Sequence, residues 1–219
     1  MKWVYVAAGV VLFFKMLVMA NPAPDASLSI VEAVVQDTGV PNVVSGIIFR
    51  NRLYDTIFEV VVFTLAILGA QFLLANEAPS GTVRQFTDEP SIVLARLGAT
   101  IAALVAVELA IRGHLSPGGG FAAGVAGGTA IGLVAITSAP EWMQAVYKRW
   151  RAATLEKVSV LIFIVLAVVT LAGVELPRGE VGALVSGGAI PLLNFLVAVK
   201  VALGSWAIML IFTRYRGLL

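Results

Sequence analysis

A few charged residues interrupt otherwise apolar stretches of this sequence, and their side chains are the ones best suited to chemistry. The acidic ones are Asp55, Glu59 and Glu108, and the basic ones are Lys15 and Lys200. Side chains four residues apart share one face of a helix, so Asp55 and Glu59 are expected to face the same way. Two carboxylates on one face predict a relay for protons or cations within a membrane.

These charges are costly if the stretches around them cross a bilayer. A charged residue at the centre of a span costs about 2.5–3.5 kcal/mol on insertion scales, so such residues usually pair or line an ion path. Lys15 is expected to pair with Asp55 or Glu59. Glu108 is expected to pair with Arg112, which follows four residues later. Static pairing that only orients helices, or snorkelling to the interface, explains the same pattern without transport.

The single histidine, His114, lies in a run that reads Gly-His-Leu-Ser-Pro-Gly-Gly-Gly over residues 113–120. Proline and consecutive glycines end a helix, so the run predicts a tight turn with exposed backbone. His114 is suited to titrate near neutral pH, or to cap or pack the turn without changing charge. A lone histidine excludes a metal site built from several histidines of this chain.

Glycines recur every four residues after this turn, at Gly120, Gly124, Gly128 and Gly132. On a helix this spacing forms a nearly smooth stripe, against which a neighbouring helix can pack closely in a membrane. The stripe predicts a tight seam between two helices. The seam either borders a pathway or serves packing alone.

The composition indicates what kind of protein must position these residues. Of 219 residues, 59% are hydrophobic and 13% are charged, whereas soluble domains carry about 25% charged residues. Long apolar runs without alternation favour membrane-spanning helices over a barrel, so we predict an all-α membrane protein.

The sequence also excludes several kinds of site. The chain lacks cysteine, which excludes disulfides and thiolate-held clusters. Phosphate-binding loops, dinucleotide fingerprints and nucleophile elbows are not found, so we assign no catalytic residue, metal or cofactor. The net charge of +2 gives no support to nucleic-acid binding.

Six stretches are long and apolar enough to span a bilayer, which takes roughly 20 residues. They run over about residues 3–20, 54–74, 92–111, 120–138, 158–176 and 190–212. The first is also interpreted as a secretory signal, because Val18-Met19-Ala20 is a small-residue site of the kind that signal peptidase cleaves. Lys15 and Pro22 are unusual for such a signal.

Two connections divide the spans. Residues 42–49 are apolar but too short to cross, so they predict an interfacial or re-entrant segment before the second span. The connection from about residue 76 to 90 has the composition of a linker. It predicts a two-span unit over residues 1–78, a linker over 79–90 and a four-span unit over 91–219.

The distribution of basic residues predicts the orientation, because cytoplasmic loops carry more lysine and arginine. With six spans both termini share a side. That side holds Lys2, Arg84, Lys148, Arg149, Arg151, Arg214 and Arg216. The other side holds Arg50, Arg52, Arg112 and Arg178. Seven against four favours cytoplasmic termini, and Lys15, Asp55, Glu59 and Glu108 then lie toward the outer side.

The run Gly-His-Leu-Ser-Pro-Gly-Gly-Gly-Phe at residues 113–121, with the glycine-rich sequence that follows, resembles the MnhB/MrpB subunit family of multisubunit Na⁺/H⁺ antiporters. The resemblance covers about residue 91 to the C-terminus. The run from Phe49 to Glu59 resembles the C-terminal region of the large MrpA subunit and the small MbhE subunit of energy-converting hydrogenases. Asp55, Thr56 and Glu59 match that motif, whereas the spacing after Arg50 is longer than in the motif. The chain therefore resembles a fusion of the two units.

The resemblance implies a non-catalytic subunit of a large assembly in the cell membrane of a prokaryote, with other membrane subunits as partners and Na⁺ and H⁺ as transported ions. The assembly is either a pure antiporter or the ion-translocating arm of a redox complex similar to respiratory complex I. It also implies that Asp55 and Glu59 handle a cation, with Glu108 and His114 as further candidates. Lys15 and Lys200 join the predicted ion pathway because they are charges within spans. A purely structural subunit and a standalone channel are the alternatives.

Overall fold

The computed structural model describes Val10, Phe14, residues 29–79, Val83 and residues 85–216. The chain divides into two compact units, Met1–Ala33 and Val34–Leu219. The described residues form helices joined by turns and loops and contain no strand. Four of these helices are long and apolar enough to cross a membrane. The prediction of an all-α membrane protein is confirmed.

The helices within the described residues vary widely in length. They are α1 (Ile30–Thr38), α2 (Val43–Gly46), a π-helical turn (Ile47–Asn51), α3 (Leu53–Leu74), α4 (Glu89–Arg112), α5 (Gly119–Ala135), α6 (Pro140–Arg149), α7 (Ala152–Leu171) and α8 (Ile190–Arg216). The four candidate spans are α3, α4, α7 and α8. Helix α5 is apolar but has only 17 residues, so it is about 25 Å long and shorter than the hydrocarbon core. The predicted span over residues 3–20 lies outside the described residues.

Helix α7 begins earlier than the sequence predicts. The apolar run predicts a span over residues 158–176, whereas the helix covers Ala152–Leu171. Hydropathy excludes Glu156 and Lys157 from the span because both are charged. In the fold the Glu156 side chain is buried and paired with Lys200, which allows the helix to carry the charge inside.

Local signals explain where the helices begin. The Asp88 side chain accepts a hydrogen bond from the Ser91 backbone N–H at the start of α4, at 3.0 Å, and Pro90 follows in the first turn. Gly118 and Gly119 have φ values of 134° and 77°, a conformation that glycine adopts easily. The predicted tight turn therefore separates α4 from α5.

Helix α8 is the centre of the bundle, since it contacts α3, α4, α5, α6 and α7. The largest buried cluster joins this helix to α3, α7 and the π-helical turn. Its members are Val40, Phe49, Leu53, Val60, Phe163, Ala167, Ala189, Ile190, Leu193, Leu196, Val197 and Val201. Burial of these side chains anchors the segment that precedes α3 against the first half of α8.

The bundle has two ends, which we name after their connections. Residues 39–52, 113–118 and 172–189 form the turn end, where the Asn42 side chain donates to the Gly113 carbonyl at 2.6 Å. Residues 75–79, 85–88 and 136–151 form the linker end, where the Phe86 N–H donates to the Ile136 carbonyl at 3.1 Å. Consecutive long helices run between these ends in alternating directions.

Candidate functional site

Four charged residues at the turn end form what we call the arginine–acid cluster: Asp37, Arg50, Glu175 and Arg178. The Arg50 guanidinium contacts a Glu175 oxygen at 2.6 Å and an Asp37 oxygen at 3.8 Å. Arg178 contacts the other Glu175 oxygen at 2.8 Å and donates to the Asp37 carbonyl at 2.7 Å. Hydrogen bonds from both arginines hold the pKa of Glu175 below its usual range. The cluster fastens the segment before α3 to the loop between α7 and α8.

Asp55 lies in the first turn of α3, directly after the π-helical turn. The Arg52 Nε–H donates to an Asp55 carboxylate oxygen at 2.6 Å, and this hydrogen bond raises the pKa of Arg52. The Thr56 hydroxyl donates to the Ile48 carbonyl at 2.7 Å, which satisfies a carbonyl within the turn. Arg52 thus occupies one side of the half-buried Asp55 carboxylate. Lys15, the partner predicted from the sequence, lies outside the described residues.

Glu59 lies one helical turn beyond Asp55 and is exposed. Among the described residues, its carboxylate makes neither a hydrogen bond nor an ion pair. The exposed neighbours on this side of α3 are Phe58 and Val62, so the carboxylate lies within an apolar surface. A bare carboxylate inside a bilayer is unfavourable, so Glu59 requires a partner beyond the described residues: Lys15, as the sequence predicts, or water, a cation or another protein chain.

Glu108 and Arg112 form an ion pair in the last turns of α4, with 3.2 Å between the Arg112 Nη1 and a Glu108 oxygen. Both side chains are more than half exposed, at 58% and 55%. An ion pair at this exposure contributes at most about 1 kcal/mol. Since α4 ends and α3 begins at the turn end, Glu108 and Asp55 lie at the same end of the bundle.

His114 is fully buried in the turn between α4 and α5. Among the described residues, neither ring nitrogen makes a hydrogen bond of good geometry, although the backbone of Leu184 and of Ala183 lies close to the ring. Burial lowers the pKa of His114, because a low-dielectric environment disfavours the charged imidazolium, and the carbonyls of Leu184 and Ala183 partly oppose this effect. The imidazole is therefore neutral at neutral pH.

Three polar residues that the sequence analysis did not single out hold the turn in place. The Asn42 side-chain amide donates to the carbonyls of Gly113 and Ser116 at 2.6 and 2.7 Å. The Ser45 hydroxyl donates to the Gly113 carbonyl at 2.8 Å. Asn194, on α8, donates to two carbonyls at the end of α4. Asn194 could have been found from the sequence, because it is an asparagine within an apolar span. The role of Asn42 could not, because the carbonyls that it binds are 71 and 74 residues away in sequence.

Lys200 lies within α8 and makes a buried ion pair with Glu156 of α7. Their side chains are 1% and 9% exposed, and the Lys200 ammonium also lies 5.1 Å from the centre of the Phe63 ring. Phe63 is about 15 Å along α3 from Leu53, so the pair lies near mid-height in the bundle. Glu156 also borders a cavity of about 320 Å³, together with Thr64, Gln71 and Tyr147 among others. Sequence reasoning identified Lys200 but missed Glu156, because Glu156 fell outside the predicted fifth span.

The four glycines of α5 lie on its face toward α8. A methyl group added at Gly128 would come within 2.8 Å of the Ser205 Cβ, and one at Gly132 within 3.1 Å of the Met209 Cε. Added methyl groups at Gly120 and Gly124 would overlap the Asn194 carbonyl and the Val201 side chain. The close approach of α5 to α8 thus depends on small side chains. Within the described ranges, no cluster of three or more acidic or histidine residues could hold a metal ion.

Comparison with known proteins adds a family and two structural relatives. Residues 90–207 match the model of the family described as "Domain related to MnhB subunit of Na+/H+ antiporter". None of the curated proteins compared with the chain matches it. A chain of the archaeal respiratory complex called membrane-bound sulfane sulfur reductase (MBS) has a similar fold, with a TM-score of 0.68 and 22% identity over 97% of this chain and 98% of that one. A chain of the Mrp complex from Dietzia sp. DQ12-45-1b has a TM-score of 0.61 and 20% identity, over 96% of this chain and 25% of that longer one.

Proposed function

Because this chain belongs to the family of domains related to the MnhB subunit of Na⁺/H⁺ antiporters, we propose that it is a membrane subunit of an Mrp-type Na⁺/H⁺ antiporter module. The observation that carries this proposal is the family match over residues 90–207, more than half of the chain. The module is either a standalone antiporter or the ion-translocating arm of a redox complex. The similar folds in an Mrp complex and in a respiratory sulfur reductase support both forms.

Within the module, Asp55 and Glu59 handle the cation. Asp55 already has the Arg52 guanidinium beside it, whereas Glu59 lacks a counter-charge among the described residues. A carboxylate on the apolar surface of a spanning helix is stable only if it binds a proton, a cation or a charged group, either Lys15 of this chain or one of a neighbouring subunit. Glu59 therefore alternates between these partners, and Asp55 supplies a second oxygen site one turn away.

The other charged residues extend the pathway. Glu108 lies at the same end of the bundle as Asp55, and the buried pair of Lys200 and Glu156 offers a charge near mid-height. His114 and Lys15 complete the predicted set. Of the six residues predicted from the sequence, Lys200 has the strongest structural support, because burial of a lysine is costly unless a paired charge is retained.

The chain combines a two-span unit over residues 1–78 with a four-span unit over residues 91–219, joined by the linker at 79–90. The start of the family match at residue 90 supports this division. The subunit lies in the cell membrane of a prokaryote with both termini in the cytoplasm, as the excess of basic residues at the linker end favours. Other membrane subunits of the module cover the exposed apolar faces.

Purification tests the subunit assignment. A tagged chain, extracted in mild detergent, should copurify with large membrane subunits of an antiporter, a hydrogenase or a sulfur reductase. Isolation of the chain alone, or a purified chain that conducts ions by itself in liposomes, would contradict the proposal.

The alternative is a structural subunit whose charges only bind neighbouring chains. In that case Asp55→Asn and Glu59→Gln should release the chain from the complex on a native gel. Under the ion-pathway proposal the complex stays intact with both substitutions. Glu180→Gln, an exposed carboxylate in the loop between α7 and α8, is the matched control.

A further inference from the structure

A second cavity lies at the linker end, and none of the described residues of the proposed pathway lines it. It is an apolar cavity of about 530 Å³ between α4, α5, α6 and α8, within the size range of small-molecule sites. Small side chains such as Ala103 and Ala130 form its inner wall, and Trp206 lies on the α8 side. The space therefore has the shape of a groove between helices that an apolar chain could fill.

One charged side chain, Arg96 of α4, lines this otherwise apolar cavity. Among the described residues, its guanidinium has neither a hydrogen-bond partner nor an ion-pair partner. Arg96 lies about 10 Å along α4 from Glu89, and helical side chains tilt toward the N-terminus of their helix. A side chain of this length is able to reach from the apolar groove to the membrane surface at the linker end.

Helix α6 borders the cavity at that surface. Its apolar side is anchored by Met143, which is 4% exposed, and its exposed Trp142 borders the cavity. Short amphipathic helices lie in the interface, and tryptophan is enriched at the depth of the lipid headgroups. The cavity therefore spans from headgroup depth, near Arg96 and Trp142, into the hydrocarbon region beside Ala103 and Ala130.

We propose that this cavity binds one anionic phospholipid, with its phosphate on Arg96 and part of an acyl chain in the groove beside Ala103 and Ala130. An unpaired guanidinium matches a phosphate in charge and geometry. Basic pockets between membrane helices on the cytoplasmic side recognise anionic headgroups in this way. The occupant fills a groove that separates α4 from α6 and stabilises their arrangement. This inference goes beyond the proposed function, since it involves no transported ion.

Native mass spectrometry of the full chain in mild detergent, titrated with phosphatidylglycerol or phosphatidylcholine of equal chain length, tests the proposal. The protein should retain one phosphatidylglycerol molecule about fivefold more strongly than phosphatidylcholine. Arg96→Gln should lower phosphatidylglycerol retention to that of phosphatidylcholine, and should lower phosphatidylcholine retention less, because its choline ammonium offsets the charge of the phosphate that both lipids carry. Ala103→Phe, at an exposed position, should lower retention of both lipids because it fills the groove.

Two controls separate a site from a general effect. Arg149→Gln removes an exposed charge at the same end of the bundle, and Val107→Phe adds bulk to an exposed position of α4 outside the cavity. Both should leave retention unchanged. Equal retention of the two lipids by the unmodified protein, a loss with Arg149→Gln as large as with Arg96→Gln, or unchanged retention with Ala103→Phe would each overturn the proposal. Absence of any retained lipid would also overturn the proposal and would favour a neighbouring protein chain as the occupant of the groove.

Discussion

The buried pair of Glu156 and Lys200 allows a quantitative test of how the bundle tolerates charge. Lys200 is 1% exposed and Glu156 is 9% exposed, so water screens their interaction weakly. At a separation of about 4 Å and an effective dielectric of about 20, two unit charges attract by about 4 kcal/mol. Removal of one partner also leaves the other charge buried and uncompensated. Glu156→Gln or Lys200→Met alone should therefore lower the free energy of unfolding by about 3–5 kcal/mol.

The double variant separates pairing from burial. Replacement of both charges removes the desolvation cost together with the attraction, so the double variant should be more stable than either single variant. The same double-mutant cycle with Glu108→Gln and Arg112→Met is the control. That ion pair is more than half exposed, so its coupling energy should be at most about 1 kcal/mol.

Denaturation of the full chain in mixed micelles, followed by tryptophan fluorescence, gives the four free energies of each cycle. The two single effects at Glu156 and Lys200 should sum to far more than the effect of the double variant. If that sum instead equals the double effect within about 0.5 kcal/mol, as for independent sites, the two charges do not stabilise each other.

Two further predictions concern the turn and the seam. Because burial lowers the pKa of His114 below its ordinary value of 6.5, the unfolded chain binds the proton more tightly, and stability should fall as pH decreases below about 6.5. His114→Gln should flatten this part of the stability–pH curve, and an unchanged curve would show that His114 does not titrate there. Gly128→Ala should destabilise the bundle by about 1–3 kcal/mol, because its methyl group meets the Ser205 Cβ at 2.8 Å. Gly69→Ala, where an added methyl group meets nothing within 4 Å, should stabilise α3 by up to about 1 kcal/mol, and equal effects at both glycines would contradict a tight seam.

The helices were the part of the fold that the sequence predicted well, because hydropathy reports directly on membrane burial. The predicted span over residues 54–74 lies within one residue of α3. The predicted beginning of α7 was wrong. A charge inside a helix is tolerated only when a partner neutralises it, and the partner of Glu156 is Lys200, which lies 44 residues away in sequence. Composition alone does not indicate such a pair.

The sequence likewise predicted the residues of the candidate site that local patterns mark, and missed those that depend on distant contacts. Their types and spacing singled out Asp55, Glu59 and His114. Arg52 lies three residues before Asp55 and pairs with it locally, whereas the arginine–acid cluster depends on tertiary contacts. Arg50 reaches Glu175 across 125 residues of sequence, and the π-helical turn that orients Arg52 toward Asp55 has no simple pattern of its own. The role of these residues in transport stays a prediction.

Sodium-dependent proton transport by the intact complex in inverted membrane vesicles shows whether Asp55 and Glu59 carry the ion. Glu59→Gln should abolish the Na⁺-driven pH change while the subunit remains in the complex, because the amide can no longer exchange a proton for a cation. Asp55→Asn should reduce the signal in the same direction, and Glu180→Gln should leave it unchanged. Full transport with both Asp55→Asn and Glu59→Gln in an assembled complex would contradict the claim that these carboxylates carry the ion.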